Sequence, residues 1–231
     1  MKTLANKTFT TVFGLAYLGL MTNLLLAIGC SPFLVVLVLT DPARPSVLLA
    51  ALLPVVAPML AAAFRVFRAY SVEGSTDVVR NFVAGLRATG LKALALGAAA
   101  SVALAAFALD AWLSLESGFG TVVLPVLALL SAMVVAVTLA ALAALADVPD
   151  APVRQALKCA AILSARRWWL SLASLAMVGT LLLLFANWPA LAVGLGAAPV
   201  LYGVWANSRY QLRAVLPSEP TMEAAGAYCA N

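Results

Sequence analysis

The chain has 231 residues, 65% of them hydrophobic and 10% charged, and contains no histidine. A soluble domain carries about 25% charged residues, so this balance excludes an ordinary water-soluble fold and points to the bilayer. The formal net charge of +5 does not imply nucleic acid: the basic residues sit between long apolar runs, where retention in the cytoplasm and anionic headgroups explain them, and no nucleic-acid partner is expected.

Lys2 and Lys7 precede an uncharged run from about Phe9 to Leu39. At about 1.5 Å per residue this run exceeds the roughly 30 Å of hydrocarbon, so one long tilted helix is expected, kinked or broken near Ser31-Pro32. Lys2 and Lys7 followed by Ala27-Ile28-Gly29-Cys30 imitate a lipoprotein signal, but Ser31 to Leu39 is apolar again and Cys30 reads as a small packing residue inside a span. A second span runs from about Ser46 to Phe64 and carries Pro54 and Pro58, which membrane helices tolerate when neighbours satisfy the freed carbonyls.

The longest polar stretch follows. Ser75-Thr76-Asp77 can cap a helix start, after which Val78, Val79, Phe82, Val83 and Leu86 recur at helical spacing with Arg80, Asn81 and Arg87 off the stripe. This predicts a short amphipathic helix on the inner side, ending near Lys92. Spans three and four cover about Leu91 to Leu113 and Thr121 to Leu145. A second basic stretch, Val153 to Arg167, carries Arg154, Lys158, Arg166 and Arg167. It echoes the first at an offset of 74 residues, Arg80-Asn81 against Arg154-Gln155, a hint of duplication no stronger than chance among Ala- and Val-rich helices. The fifth span runs from about Trp168 to Phe185. A tight outer turn follows at Asn187-Trp188-Pro189, and the sixth span ends near Asn207.

Of the 14 Lys and Arg residues only Arg44 falls outside the stretches that this layout places in the cytoplasm. Translocating basic loops is unfavourable, so the pattern sets orientation and helix count together. The expected fold is all-α: a polytopic helical membrane protein of about six transmembrane helices with both termini cytoplasmic. It would form one domain over residues 1–216 with a flexible tail from Pro217 to Asn231. Trp112, Trp168, Trp169, Trp188 and Trp205 all fall near helix ends, as headgroup-level aromatics do.

Chemistry is sparse. Cys30, Cys159 and Cys229 fall in a span, an inner stretch and the tail, none placed for a disulfide or at metal-ligand spacing. Gly194-Leu195-Gly196-Ala197-Ala198-Pro199 has glycines like a dinucleotide loop but lies inside a span with no preceding strand. No cofactor, metal or catalytic residue is expected, and an enzyme acting on lipid or isoprenoid lacks a visible nucleophile or acidic cluster. Asn23 is the notable polar residue inside a span, read as bonding across to another helix rather than lining a solute path.

Three stretches carry a family resemblance. Asn23-Leu24-Leu25 through Cys30-Ser31-Pro32, Ala63-Phe64-Arg65-Val66-Phe67-Arg68-Ala69-Tyr70 leading to Asn81-Phe82, and Trp205-Ala206-Asn207-Ser208-Arg209-Tyr210 together resemble a bacterial membrane family of unknown function typified by YesL, in its short high-GC form. The similarity runs to about Leu216. After the first helix the chain has Ser31-Pro32-Phe33-Leu34-Val35 where that family has a Leu-Pro-Ile-Val-Thr-Ile-Gly run. The resemblance implies an integral protein of the bacterial inner membrane, often encoded beside carbohydrate ABC importers, with an accessory or regulatory role and no known catalysis. It transfers no functional residues. Glu223-Ala224-Ala225 lies after the last span and so does not make the chain an importer permease.

The resulting expectation is an accessory partner of an ABC importer's permease and ATPase subunits, docking through Arg80, Phe82, Arg87 and Lys92 and through Arg154, Lys158, Arg166 and Arg167. The alternative is a small stand-alone transporter or channel with its pathway at the Pro-broken first and second spans, near Asn23.

Overall fold

A computed structural model describes residues 2–40, 47–116 and 120–213, and every regular element among them is helical. The expected tail, Asp41 and Arg44 lie outside the described residues. In chain order the helices are α1 (Lys2–Gly29), α2 (Ser31–Leu39), α3 (Val47–Glu73), α4 (Val78–Glu116), α5 (Gly120–Asp147), α6 (Val153–Arg166), α7 (Trp168–Asn187), α8 (Pro189–Leu191), a π-helical turn (Ala192–Gly196) and α9 (Ala197–Leu212). Five stretches are long and apolar enough to cross a membrane: Leu48–Glu73, Val78–Leu115, Gly120–Asp147, Trp168–Asn187 and Pro189–Leu212. The pair α1 and α2 makes a sixth if its two parts count as one span. The chain is an all-α, multi-pass membrane protein.

The first span is broken where expected, near Ser31-Pro32. It breaks at Cys30, and α2 turns 69° away from α1. The cause is local. Pro32 has no N–H and its ring crowds the carbonyl four residues back, that of Ile28. The Ser31 hydroxyl donates to that Ile28 carbonyl at 2.8 Å instead. Cys30 is buried at the corner.

Two boundaries differ from expectation. Pro54 and Pro58 sit inside α3 without ending it, and the helix runs on to Glu73, so Arg65 and Arg68 are helical rather than in a loop. The amphipathic segment and the third span are one uninterrupted helix, α4, because no breaker separates them and Gly90 alone does not stop an Ala-rich helix. At 39 residues α4 is about 58 Å long, well beyond the hydrocarbon, and its surplus is the basic part around Arg80 and Arg87.

Between α3 and α4 the chain reverses at Gly74, whose φ of 65° is open to glycine at little cost. Gly74 N–H donates to Tyr70 O and Ser75 N–H to Ala69 O, closing the last turn of α3. Asp77 starts α4, its carbonyl accepting from Asn81 N–H at 3.0 Å, and the Ser75 hydroxyl accepts from the Asn81 side chain at 3.1 Å. The two helices then pack closely. A Cβ on Gly97 would stand 2.6 Å from Ala57 Cβ and 3.0 Å from Pro54 O. Small residues permit this approach, as membrane helices require in the absence of a hydrophobic drive between them.

The core lies where α3, α5 and α9 meet. Ala61, Ala62 and Ala63 of α3 and the buried run from Leu139 to Ala146 of α5 bring backbones together. Phe64 and Phe67 of α3 pack with Tyr202 and Trp205 of α9, Phe67 meeting Tyr202 edge-on at 5.5 Å. Outward, Leu91, Val122, Leu129, Leu182 and Leu183 are among the exposed large apolar residues, a surface only lipid can cover.

Candidate functional site

At the end of the bundle that carries the basic residues, α6 lies outside the spans and packs on α5, α7 and α9. Its Ala156, Cys159, Ala160, Leu163 and Ser164 are buried, while Arg154, Lys158 and Arg166 are exposed. On α4, Arg80 and Arg87 are likewise exposed. None of these five pairs with a carboxylate among the described residues.

The other three expected docking residues are engaged elsewhere. Phe82 is 5% exposed, part of the core against α3, because α4 turns that side of its stripe inward. The Lys92 ammonium donates to Pro149 O at 2.6 Å and to Ala151 O at 3.2 Å, pinning the turn between α5 and α6. Arg167 occupies the break between α6 and α7; its guanidinium donates to Tyr210 O at 3.3 Å and stands 6.0 Å from the Tyr210 ring centroid. These are fastenings within the bundle.

A charge cluster here had no counterpart in the sequence reading. Asp147, the last residue of α5, is 7% exposed at its side chain and lies between Arg68 of α3 and Arg209 of α9. Arg68 Nε is 3.5 Å from Oδ1 and Arg209 Nε is 3.6 Å from Oδ2. Arg209 also lies 5.4 Å from the Trp205 ring centroid. The carboxylate thus ties three helices at one point.

On α9, Asn207 and Gln211 are one turn apart and face α7. Asn207 donates to Leu170 O at 2.6 Å and to the Ser174 hydroxyl at 2.7 Å. Gln211 donates to Leu163 O at 3.2 Å and to the Ser171 hydroxyl at 3.1 Å. These are interhelical fasteners of the kind membrane bundles use.

Asn23 occupies the most specific position of any polar residue. It is buried on α1, at 3% exposure, opposite the π-helical turn. Its Nδ2 donates to Gly194 O at 2.8 Å, and its Oδ1 accepts from Ala198 N–H at 2.6 Å. Residues 194 and 198 are four apart, the pair that would bond each other in an uninterrupted α-helix. The carboxamide is therefore spliced into the hydrogen-bond ladder of the last span. Pro199 explains the opening: it lacks an N–H and crowds the carbonyl of Leu195, so the helix widens just before it. The glycine-rich stretch 194–199 is thus a helix defect that receives Asn23. The expectation that Asn23 bonds to another helix matches this geometry.

Beside this splice lies a cavity of about 290 Å³ with walls from α1, α2, α3, α5, α7 and the last span. Apart from Asn23, its lining is apolar side chains and Cys30. A second cavity, about 560 Å³, lies between α2, α3 and α4, and Phe33 and Leu37 of α2 line both. Among the described residues no group of three or more His, Cys, Asp or Glu could hold a metal ion. No protein-family model, curated protein or solved structure matches this chain.

Proposed function

We propose that this protein is a non-catalytic accessory subunit or regulator in the bacterial inner membrane, associated with a carbohydrate ABC importer. The observation that carries this reading is the unpaired basic set: Arg80 and Arg87 on α4, and Arg154, Lys158 and Arg166 on α6. Both helices are held on the bundle by buried apolar residues, so the charges are mounted on a fixed surface. Such a surface suits an acidic face on a cytoplasmic partner, with electrostatics setting encounter rate and orientation. The resemblance to the YesL-type family supplies the kind of partner.

The stand-alone transporter draws less support. Cavities beside the broken first and second spans are lined almost wholly by hydrocarbon, which offers a sugar or an ion nothing to replace its water.

The test is affinity purification of the tagged chain from its native membrane in mild detergent. Permease and ATPase subunits should co-purify with the wild type. Arg80→Glu with Arg87→Glu, or Arg154→Glu with Lys158→Glu, should lower their recovery while the chain's own membrane level stays unchanged. Recovery of the wild-type chain alone would sink the reading and redirect effort to flux in liposomes.

A further inference from the structure

We propose that the 290 Å³ cavity beside Asn23 is a binding site for one hydrocarbon chain of a bilayer lipid, in the leaflet away from the basic end. The proposal is independent of the importer reading.

Three observations carry it. First, the chemistry of the lining admits nothing polar. Leu26, Phe33, Leu37, Leu181, Phe185 and Val193 are among its walls. Both ends of the Asn23 carboxamide already bond backbone groups of the last span. A buried water needs two to four polar partners, and among the lining side chains only the Cys30 thiol and what remains of the Asn23 carboxamide are polar.

Second, the volume exceeds that of a small packing void. Helical interiors are close-packed with few voids larger than a water molecule, whose share of liquid volume is about 30 Å³. A cleft of about 290 Å³ between seven helical elements has room for a run of methylene groups rather than a single water.

Third, the space is continuous with the lipid-covered surface. Leu182, 60% exposed on α7, is part of its rim, and α2 forms the opposite wall. The 69° turn at Cys30 creates the opening, since it swings Phe33 and Leu37 away from the α1 axis. No residue of α2 is buried, so the helix is a wall between lipid and two cavities rather than part of the core. What meets the mouth of this cavity is acyl chain.

The floor of the site gives it consequence. Ala192, Val193 and Ala197 belong to or adjoin the π-turn that Asn23 splices. An occupying chain would rest on the one place where the last span departs from α-geometry.

The experiment uses the full chain in vesicles of phosphatidylcholine and phosphatidylglycerol doped with a phospholipid bearing a diazirine midway along one acyl chain. After irradiation, peptides covering residues 23–37 and 178–201 should carry more label than the equally lipid-exposed stretch around Val122 and Leu129. Ala27→Trp, which fills the cavity, should bring that label down to the level of the control stretch. Val193→Phe does the same from another wall and serves if Ala27→Trp fails to fold. Labelling that follows surface exposure alone, or that survives both substitutions in folded protein, overturns the proposal. So does efficient Leu182→Cys disulfide cross-linking between copies without lipid labelling, because the occupant would then be a second copy.

Discussion

Asn23→Leu tests the central geometric statement about this bundle. Leucine has as many side-chain heavy atoms as asparagine, branches at the same position and suits the membrane, so the substitution removes two hydrogen bonds while keeping the branched shape. The bonds are Asn23 Nδ2 to Gly194 O at 2.8 Å and Ala198 N–H to Asn23 Oδ1 at 2.6 Å. Interhelical bonds in membrane proteins average about 0.6 kcal/mol and reach about 1.7, so losing two should cost about 1 to 3 kcal/mol. Relaxation of the last span could recover that cost only by letting Ala198 N–H reach Gly194 O. Pro199 opposes the recovery, because a regular helix would drive its ring into the Leu195 carbonyl. The matched control is Thr22→Val on the same helix. Thr22 is fully buried, and its hydroxyl has no partner among the described residues. Removing an unpartnered hydroxyl should be neutral or slightly stabilising. The assay is reversible unfolding in mixed micelles, titrated with dodecyl sulfate and followed by tryptophan fluorescence. If Asn23→Leu costs no more than Thr22→Val, the carboxamide is not part of the ladder and the splice is refuted.

Three further outcomes are expected. Asp147→Leu should destabilise by about 2 kcal/mol, less than the 3–5 seen for fully buried pairs because Arg68 and Arg209 remain about a third exposed; combining it with Arg68→Met and Arg209→Met should recover much of the loss in the same unfolding assay. Gly97→Ala should cost about 1 to 3 kcal/mol by forcing α3 from α4, whereas Gly179→Ala, with nothing within 4 Å of the new Cβ, should stabilise by up to about 1 kcal/mol; equal effects would contradict the close approach. Lys92→Met should cost about 1.5 to 3 kcal/mol through the released Pro149 and Ala151 carbonyls, while Arg87→Met stays within about 0.5, so thermal melting in detergent should separate the engaged cation from the exposed one.

What could be read from sequence followed from what hydropathy measures. Long apolar runs bounded by basic residues have no stable home except across a bilayer, so the sequence places spans four to six within a few residues. The continuity of α4 was hidden because its amphipathic part and its apolar part share one helical period. The charges of Arg87 and Lys92 looked like a boundary, although nothing there breaks a helix. The stop at Cys30 was nearly visible: Pro32 marked the break, but the 69° angle depends on what α2 packs against. Asn23 was conspicuous by its polarity, yet its partners lie 171 and 175 residues away.

The fate of the buried polar groups narrows where function can reside. Asn23, Lys92, Asp147, Asn207 and Gln211 are the kinds of residue that mark a transport path or a proton relay when they line water-filled space. Here each bonds or pairs with a neighbouring helix or turn. Their polarity is consumed in holding the bundle together, and the adjoining cavities are left with hydrocarbon walls. The exposed arginines and lysine of α4 and α6, by contrast, pair with no carboxylate among the described residues. A protein so arranged can act on what touches its surfaces: charge at the basic end, and lipid chains at the cleft behind α2.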